Sequence, residues 1–442
     1  MNTPLSPHLA AAVLLSCLAL PVAAGAQSSL TLDDAVARAA RNNPSVRASR
    51  ATESEAEARI TQARSVFLPH LDVSESWTRG NQPVFVFGSL LGQRLFGPAN
   101  FDIAALNHPD ALTNTRTAFT VEQVIFDAAH MNAGLRMAKL GAQAAALGTR
   151  DAVQALKVAA TQAFGGVLTA QSQRRVAEAA VTSAQEDASR AEHRRDAGLA
   201  TEADVLSIRV HLAQMRQRAI SAASQELIAR AQLNEVMGEP IDAVFQLQEP
   251  VSPPDDHAVA GDDKDVVKNR TDVARAALMA QIASARVSAA RSAWLPQAFV
   301  HGTYEFNGGG FNTQVSSWTV GAGVRWNLFS GMADAGRLRE ARAARERAEA
   351  DRQQGEAHAR VEWRSAVARL DESRARGDVA RTARAQARES QRIIRDRYEA
   401  GLASVNDVLR AATAVLDADL QYTSAIVEAF VNRALVDRAR GQ

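Results

Sequence analysis

Cysteine is all but missing from this chain. Cys17 is the only one, and it sits in the N-terminal apolar run. No disulfide framework and no thiolate metal site can be built from a single thiol. A surplus of charge is missing too. The net charge is +1, whereas a dedicated nucleic-acid binder carries a clear basic excess. Nearly all the basic residues are Arg, and Asp and Glu interleave with them along stretches of helical composition. That pattern reads as solvated, salt-bridged helix faces. The nine histidines are scattered without metal-ligand spacing. Phosphate-binding glycine loops, serine elbows and zincin motifs are absent. The chain is therefore read as a non-enzyme, with no catalytic site, no metal site and no cofactor. No run after the N-terminus reaches the roughly 18 apolar residues of a transmembrane helix. Any membrane-spanning form must then be a β-barrel.

Proline is missing where long helices require it to be. All 13 prolines lie at or before Pro296, and none falls between Asp110 and Glu239. Proline removes a backbone donor and clashes with the preceding turn. Residues 128–196 and 332–396, rich in Ala, Arg, Glu and Gln, are expected as uninterrupted helices. At about 1.5 Å per residue each reaches on the order of 100 Å. Helices of that length pack as coiled coils. Gly134, Gly141 and Gly148 recur one heptad apart, which predicts a close approach of two helix backbones there.

Residues Leu9 to Leu20 form a short apolar run, followed by Ala24-Gly25-Ala26. This reads as a secretory leader cleaved after Ala26, although its first residues carry no Lys or Arg. Leu15-Ser16-Cys17 is a weak lipoprotein signal. Removal of the leader leaves a mature chain without cysteine, suited to an oxidising compartment.

What is present is a duplication. Ala63-Arg64-Ser65 and Leu68-Pro69 recur as Ala290-Arg291-Ser292 and Leu295-Pro296 at an offset of 227. Phe126 recurs as Phe329, Ala197-Gly198-Leu199-Ala200 as Ala400-Gly401-Leu402-Ala403, and Asp204-Val205-Leu206 as Asp407-Val408-Leu409, all at an offset of 203. The constant register means two copies of one structural unit. The change in offset falls between Pro69 and Phe126, so one loop is longer in the first copy. The expected organisation is a leader over 1–26, a first repeat over 27–238, a proline-bearing linker over 239–265 and a second repeat over 266–442.

Each long helix is expected to stop at a glycine, Gly198 or Gly401, in the left-handed conformation. Thr201 and Ser404 are expected to cap the return helices, roughly 201–237 and 404–438. Each copy is thus a helical hairpin with a tight tip. Between the helices lie four alternating segments of about ten residues. Leu71, Val73 and Trp77 alternate with polar residues, with Glu75 an exception on the apolar face. Ala298, Val300, Tyr304 and Phe306 follow the same phase. Phe119, Val121 and Ile125 share a period-two pattern with Trp318, Val320, Val324 and Trp326. Such segments fit membrane-crossing strands, and half-buried strands of soluble proteins alternate as well. The loop over about 80–114 carries Phe85, Phe87, Leu90, Leu91, Phe96 and Phe101, an apolar content unusual for a solvated loop.

These residues resemble the TolC-like outer-membrane efflux channels over the whole mature length. The resemblance rests on Leu30-Thr31-Leu32-Asp33-Asp34-Ala35-Val36 with Asn43-Pro44, on Leu-Pro before strands one and three, and on Phe126-Asp127 and Phe329-Ser330-Gly331 after strands two and four. The duplicated Ala-Gly-Leu-Ala…Asp-Val-Leu tips are its most specific part. It implies a mixed, mainly α fold: duplicated long helical hairpins forming a periplasmic α-barrel, with four β-strands per protomer contributing to a twelve-stranded trimeric outer-membrane β-barrel. It implies a homotrimer in the outer membrane of a Gram-negative bacterium, in contact with outer-membrane lipid and extending into the periplasm. It implies a passive exit duct of a tripartite efflux or type I secretion system, docked to a periplasmic adaptor protein and served by an inner-membrane transporter.

The same resemblance assigns the tips Gly198, Leu199, Ala200, Gly401, Leu402 and Ala403 to adaptor docking. It assigns Asp204, Tyr398 and Asp407 to a periplasmic gate, with Tyr398 expected to hydrogen-bond near Asp204 and Asp407 expected to face the pore. Arg410 stands where the family often has a second acid, so a mixed Asp/Arg ring is expected. Read without the resemblance, Asp204 and Asp407 are first-turn helix acids and the glycines are helix caps. The competing readings are a periplasmic adaptor or a structural coiled-coil protein. Two hairpins and two strand pairs argue against the first, and the aromatic alternating segments against the second.

Overall fold

The computed structural model describes residues 29–127, 129–248 and 263–441. The expected leader with Cys17, and Pro250, Pro253 and Pro254 of the expected linker, lie outside the described residues. The first copy runs β1 (Ser29–Leu30), α1 (Leu32–Asn42), α2 (Pro44–Ser65), β2 (His70–Gly80), α3 (Pro83–Gly92), a 3-10 turn, α4 (Ile103–Asn107), β3 (Leu112–Phe126), α5 (His130–Asp196) and α6 (Glu202–Met237). After β4 (Gln246–Leu247) and α7 (Asp263–Asn269), the second runs α8 (Thr271–Ser292), β5 (Gln297–Gly308), β6 (Val315–Arg325), α9 (Ala333–Glu399) and α10 (Val405–Ala439). The duplication is exact in two pairs of helices: α2 and α8 are each 22 residues long, and α5 and α9 are each 67.

The four expected strands form one antiparallel sheet in the order β2-β3-β5-β6, joined across the two copies by β3 and β5. Cross-strand register lines up the apolar residues. Val73 pairs with Phe119, Phe119 with Tyr304 and Tyr304 with Trp318; Leu71, Val121, Gly302 and Val320 form the next row. One face is therefore apolar across all four strands, and its large side chains are exposed in the protomer. Glu75 interrupts that face and accepts a hydrogen bond from Thr117 Oγ1 at 2.5 Å. The other face carries Thr120, Thr303 and Thr319 in one row and an Arg116–Glu305 ion pair at 2.6 Å. On that face the rings of His301 and Phe299 lie over Gly321 and Gly323, where an added Cβ would stand 2.7 Å from either ring.

At the strand ends nearest the long helices the chain turns from sheet to helix through capping carboxylates. Asp127 accepts from the N–H of Met131 at 2.8 Å, and Asp334 is held by Ser330 and Arg337. Midway along the hairpins sit two matched cores. Leu30, Phe164, Val167, Leu233 and Met237 form the first, and Trp363, Ala366, Leu370 and Val436 anchor the second. Asn43 explains the Asn-Pro break between α1 and α2. Its Oδ1 caps Ser45 N at 2.8 Å, while its Nδ2 donates to Val236 O at 2.8 Å, tying the start of the chain to the end of α6.

The glycine heptad does not mark a close approach. A Cβ at Gly134 or Gly141 meets nothing within 4 Å, and at Gly148 only the tip of Arg275. Gly141 and Gly148 instead line an open groove of about 500 Å³ between α2, α5 and α8. The tight contact is at Gly165, where a Cβ would stand 2.5 Å from Val427 of α10. No helix among the described residues is long and apolar enough to cross a membrane.

Candidate functional site

The two hairpin tips repeat each other in detail. Gly198 and Gly401 each have φ +76°. The N–H of Leu199 donates to Arg194 O at 2.7 Å, and that of Leu402 to Arg397 O at 2.8 Å, satisfying the last carbonyls of α5 and α9. Thr201 Oγ1 accepts from Asp204 N at 3.2 Å while Asp204 Oδ2 accepts from Thr201 N at 3.1 Å; Ser404 and Asp407 do the same at 3.3 and 3.0 Å. These are reciprocal capping boxes. The bonds from Thr201 and Ser404 hold the carboxyls of Asp204 and Asp407 below the ordinary Asp range. Capping needs the glycine, the hydroxyl and the acid. It does not need Leu199 or Leu402, which stand 68% and 69% exposed at the ends of the hairpins.

The tips lie side by side. Ala188, Ala191, Val205 and Ile208 form a small core at the end of the first hairpin, and Val405, the first residue of α10, packs on it. Tyr398 sits at this seam. Its ring lies under the Arg194 guanidinium at 5.0 Å, and Arg194 Nη1 donates to the carbonyls of Tyr398 and Glu399, each at 3.3 Å. Burial, with Asp204 and Asp187 nearby, raises the Tyr398 phenol above its usual range. Within the protomer the Tyr398 hydroxyl makes no hydrogen bond to Asp204, whose Oδ2 caps its own helix. Arg410 is exposed one turn beyond Asp407 and acts on it only at a distance.

Residues the sequence did not single out complete the seam. Arg190 pairs with Glu399 at 3.2 Å, and Arg395 donates to Ser183 Oγ at 2.7 Å beside the half-buried Asp187, 3.6 Å away. Burial pushes the Asp187 carboxyl up against the pull of Arg395 and Arg190. Above this seam the four long helices border a half-open cavity of about 580 Å³, where Asp187, His211, Arg384, Arg388 and Asp419 lie among both polar and apolar side chains.

At the other end the sheet has the dimensions of a membrane wall. Strands of 11 residues at about 3.3 Å each, tilted by about 40°, rise roughly 28 Å, close to the apolar band of an outer-membrane barrel. Trp77 and Trp318 are exposed near the far rim and Trp326 and Phe329 near the helical one, as in the aromatic girdles of such barrels. A sequence profile described as outer membrane efflux protein matches residues 24–239 and 264–428. The chain belongs to that family. Its members are passive channels, so an efflux-family chain is not an enzyme. The outer membrane is the family's location. The fold is also that of solved outer-membrane channels. VceC of Vibrio cholerae superposes with a TM-score of 0.78 at 19% identity, over 93% of this chain and 96% of its own. CmeC of Campylobacter jejuni gives 0.79 at 18%, over 100% and 94%. MtrE of Neisseria gonorrhoeae, solved in its open state, gives 0.76 at 16%, over 93% and 88%. No curated protein sequence matches this efflux-family chain.

Proposed function

We propose that three copies close one twelve-stranded barrel in the outer membrane and continue it as an α-helical tunnel through the periplasm. The observation that carries this reading is the pair of free edges. Among the described residues β2 and β6 have no sheet partner on their outer sides, so each leaves a row of unpaired backbone groups beside a largely apolar face. Four strands cannot close a barrel, and an open edge is not tolerated in lipid. The helical flanks agree. α6 exposes Ile220, Leu227 and Ile228 on one side of the protomer, and α9 exposes Val361 and Val379 on the other. Efflux-family channels are homotrimers that work with adaptor proteins and inner-membrane pumps. The mass of the protein extracted in detergent from outer membranes tests the proposal. A trimer is expected; a soluble periplasmic monomer would overturn it.

In this assembly the duct is passive, serves a tripartite efflux or type I secretion system, and takes its energy from the pump. Gly198, Leu199, Ala200, Gly401, Leu402 and Ala403 present the adaptor-docking surface. Asp204, Tyr398, Asp407 and Arg410 surround the periplasmic entrance, where threefold symmetry brings like charges together. Leu199→Asp combined with Leu402→Asp should abolish crosslinking to the adaptor while the trimer persists. Unchanged crosslinking would remove the docking role.

A further inference from the structure

Residues 81–111 link β2 to β3, where the second copy has only 309–314 between β5 and β6. This long segment folds back over the sheet. Gln93, 3% exposed, donates from Nε2 to Thr113 O at 2.9 Å and to Asn114 Oδ1 at 3.0 Å. Asn114 Nδ2 donates to Asn307 Oδ1 at 3.0 Å, and Asn307 Nδ2 to Glu305 Oε1 at 3.1 Å. Arg116 and Ser317 hold Glu305 in turn. Gly92 closes on Asn307, with its Cβ position 3.7 Å from Asn307 Cγ. Arg94, in the left-handed region at φ +56°, reaches across the sheet and donates to Ser316 O at 3.1 Å. Asn114, Arg116, Glu305 and Asn307 alternate with Phe119 and Tyr304, so they belong to the polar face. The segment therefore rests on the face turned away from lipid, at the strand ends remote from the long helices.

We infer that residues 81–111 are an outer lid that closes the external mouth of the channel at rest, latched by Gln93 and strapped by Arg94. The inference rests on the trimeric reading above. A twelve-stranded barrel with strands about 4.8 Å apart and tilted by about 40° has a radius of roughly 12 Å. α3 lies along the wall, with Phe85 beside Gly80 at its start and Gly92 against Asn307 at its end, and residues 96–110 pack on it as a second layer. Two layers at about 8–10 Å each fill the roughly 12 Å from wall to axis, so each lid reaches the threefold axis and meets there the same surface of the other two copies. Leu91, Leu95, Phe101 and Ile103, exposed in the protomer, cover one another in that arrangement. Edge-to-face contacts of Phe96 with Phe87 at 4.9 Å and with Phe101 at 5.2 Å make the lid one body. The latch is built to release. Gln93 Oε1 is buried without a hydrogen-bond partner among the described residues, and a partly satisfied network holds less firmly than a complete one.

The test is labelling from outside the cell. Thr120→Cys places a thiol on the polar face below the lid. A polyethylene-glycol maleimide too wide to pass a closed mouth is applied to intact cells, with a small maleimide as the control for thiol reactivity. The unsubstituted chain reports any labelling at Cys17. With the lid intact, only the small reagent should react. Adding Gln93→Ala and Asn307→Ala should speed the bulky reagent roughly tenfold, the shift expected from losing the two hydrogen bonds by which Gln93 joins the lid to the barrel. Replacing residues 84–108 by a short Gly/Ser turn should speed it at least as much. Equal bulky labelling with and without the lid would overturn the inference. Trimer mass separates the two levels: an unsubstituted protein that is not a trimer removes the channel reading, whereas an intact trimer with lid-independent labelling removes the lid alone.

Discussion

α5 and α9 are the same helix twice in length and in caps, yet 18 residues of α5 are buried against 8 of α9. The backbone is duplicated and the environment is not. α5 runs through the middle of the protomer, packed by α1, α2, α6, α8 and α10, whereas α9 packs on α7, α8 and α10 and leaves a flank open. Its polar, Arg-rich sequence is what a flank looks like before a neighbour covers it. α6 is the opposite flank, with more apolar surface left uncovered. An efflux-family protomer is thus one interior hairpin strand and two edges, although the sequence presents two equivalent hairpins. The copies diverge in side chains because they occupy different positions in the protomer.

Matched substitutions can break this comparison. The largest contrast is expected at Gly165 and its counterpart Ala368. Gly165→Val forces a side chain into Val427 and should destabilise the protomer by about 1–3 kcal/mol. Ala368→Val, on the side of α9 left open in the protomer, meets no such contact there and should cost clearly less. Thermal unfolding of the two purified variants decides, and equal losses would mean that α9 is as enclosed as α5.

A second contrast lies at the tips. Arg194 bridges to Tyr398 and Glu399, while its counterpart Arg397 is exposed. Arg194→Ala should raise resting conductance of the reconstituted trimer several-fold, as should Tyr398→Phe with Asp407→Ala. Arg397→Ala should leave conductance near its resting level. Similar traces for Arg194→Ala and Arg397→Ala would remove Arg194 from the gate. The smallest contrast is expected between the caps themselves. Thr201→Ala and Ser404→Ala should each cost about 1 kcal/mol, read as faster hydrogen exchange in the first turns of α6 and α10. The capping acids add a pH dependence with a definite sign. Because Asp204 and Asp407 titrate below the free value of 3.8, their contribution is complete above that pH and is lost as the pH falls through the lower folded value. Both tips should therefore fray together in strong acid and neither near neutrality; fraying near neutrality would show that the acids are not the caps.

Much of this architecture was legible in the sequence because it is local. Helix stops at Gly198 and Gly401, caps at Thr201 and Ser404, and the alternation of four strands each depend on residues within a few positions of one another. The strand register and the free edges follow once those strands pair. Contacts between the copies were not legible. Within the protomer Tyr398 stacks under Arg194 across the seam, a contact between the copies that no local pattern shows. The Asp187–Arg395 pair and the Gly165 contact were missed for the same reason. A signal existed: Glu192 aligns with Arg395, Asp187 with Ser390, Arg195 with Tyr398 and Gly165 with Ala368. At these positions, though not at Arg194 and Arg397, the two copies differ where they meet. The heptad of glycines misled because a spacing identifies a face of a helix without saying what lies against it.

The equal lengths of α5 and α9 also constrain how this chain can change. Both tips end level because both helices count 67 residues from the sheet. Losing a heptad from one helix alone would lower one tip by about 10 Å and part Val405 from its core. The rods act as a pair of matched rulers. Their length can drift only if both are cut to the same mark, and the distance they measure is that from the outer membrane to whatever meets the tips.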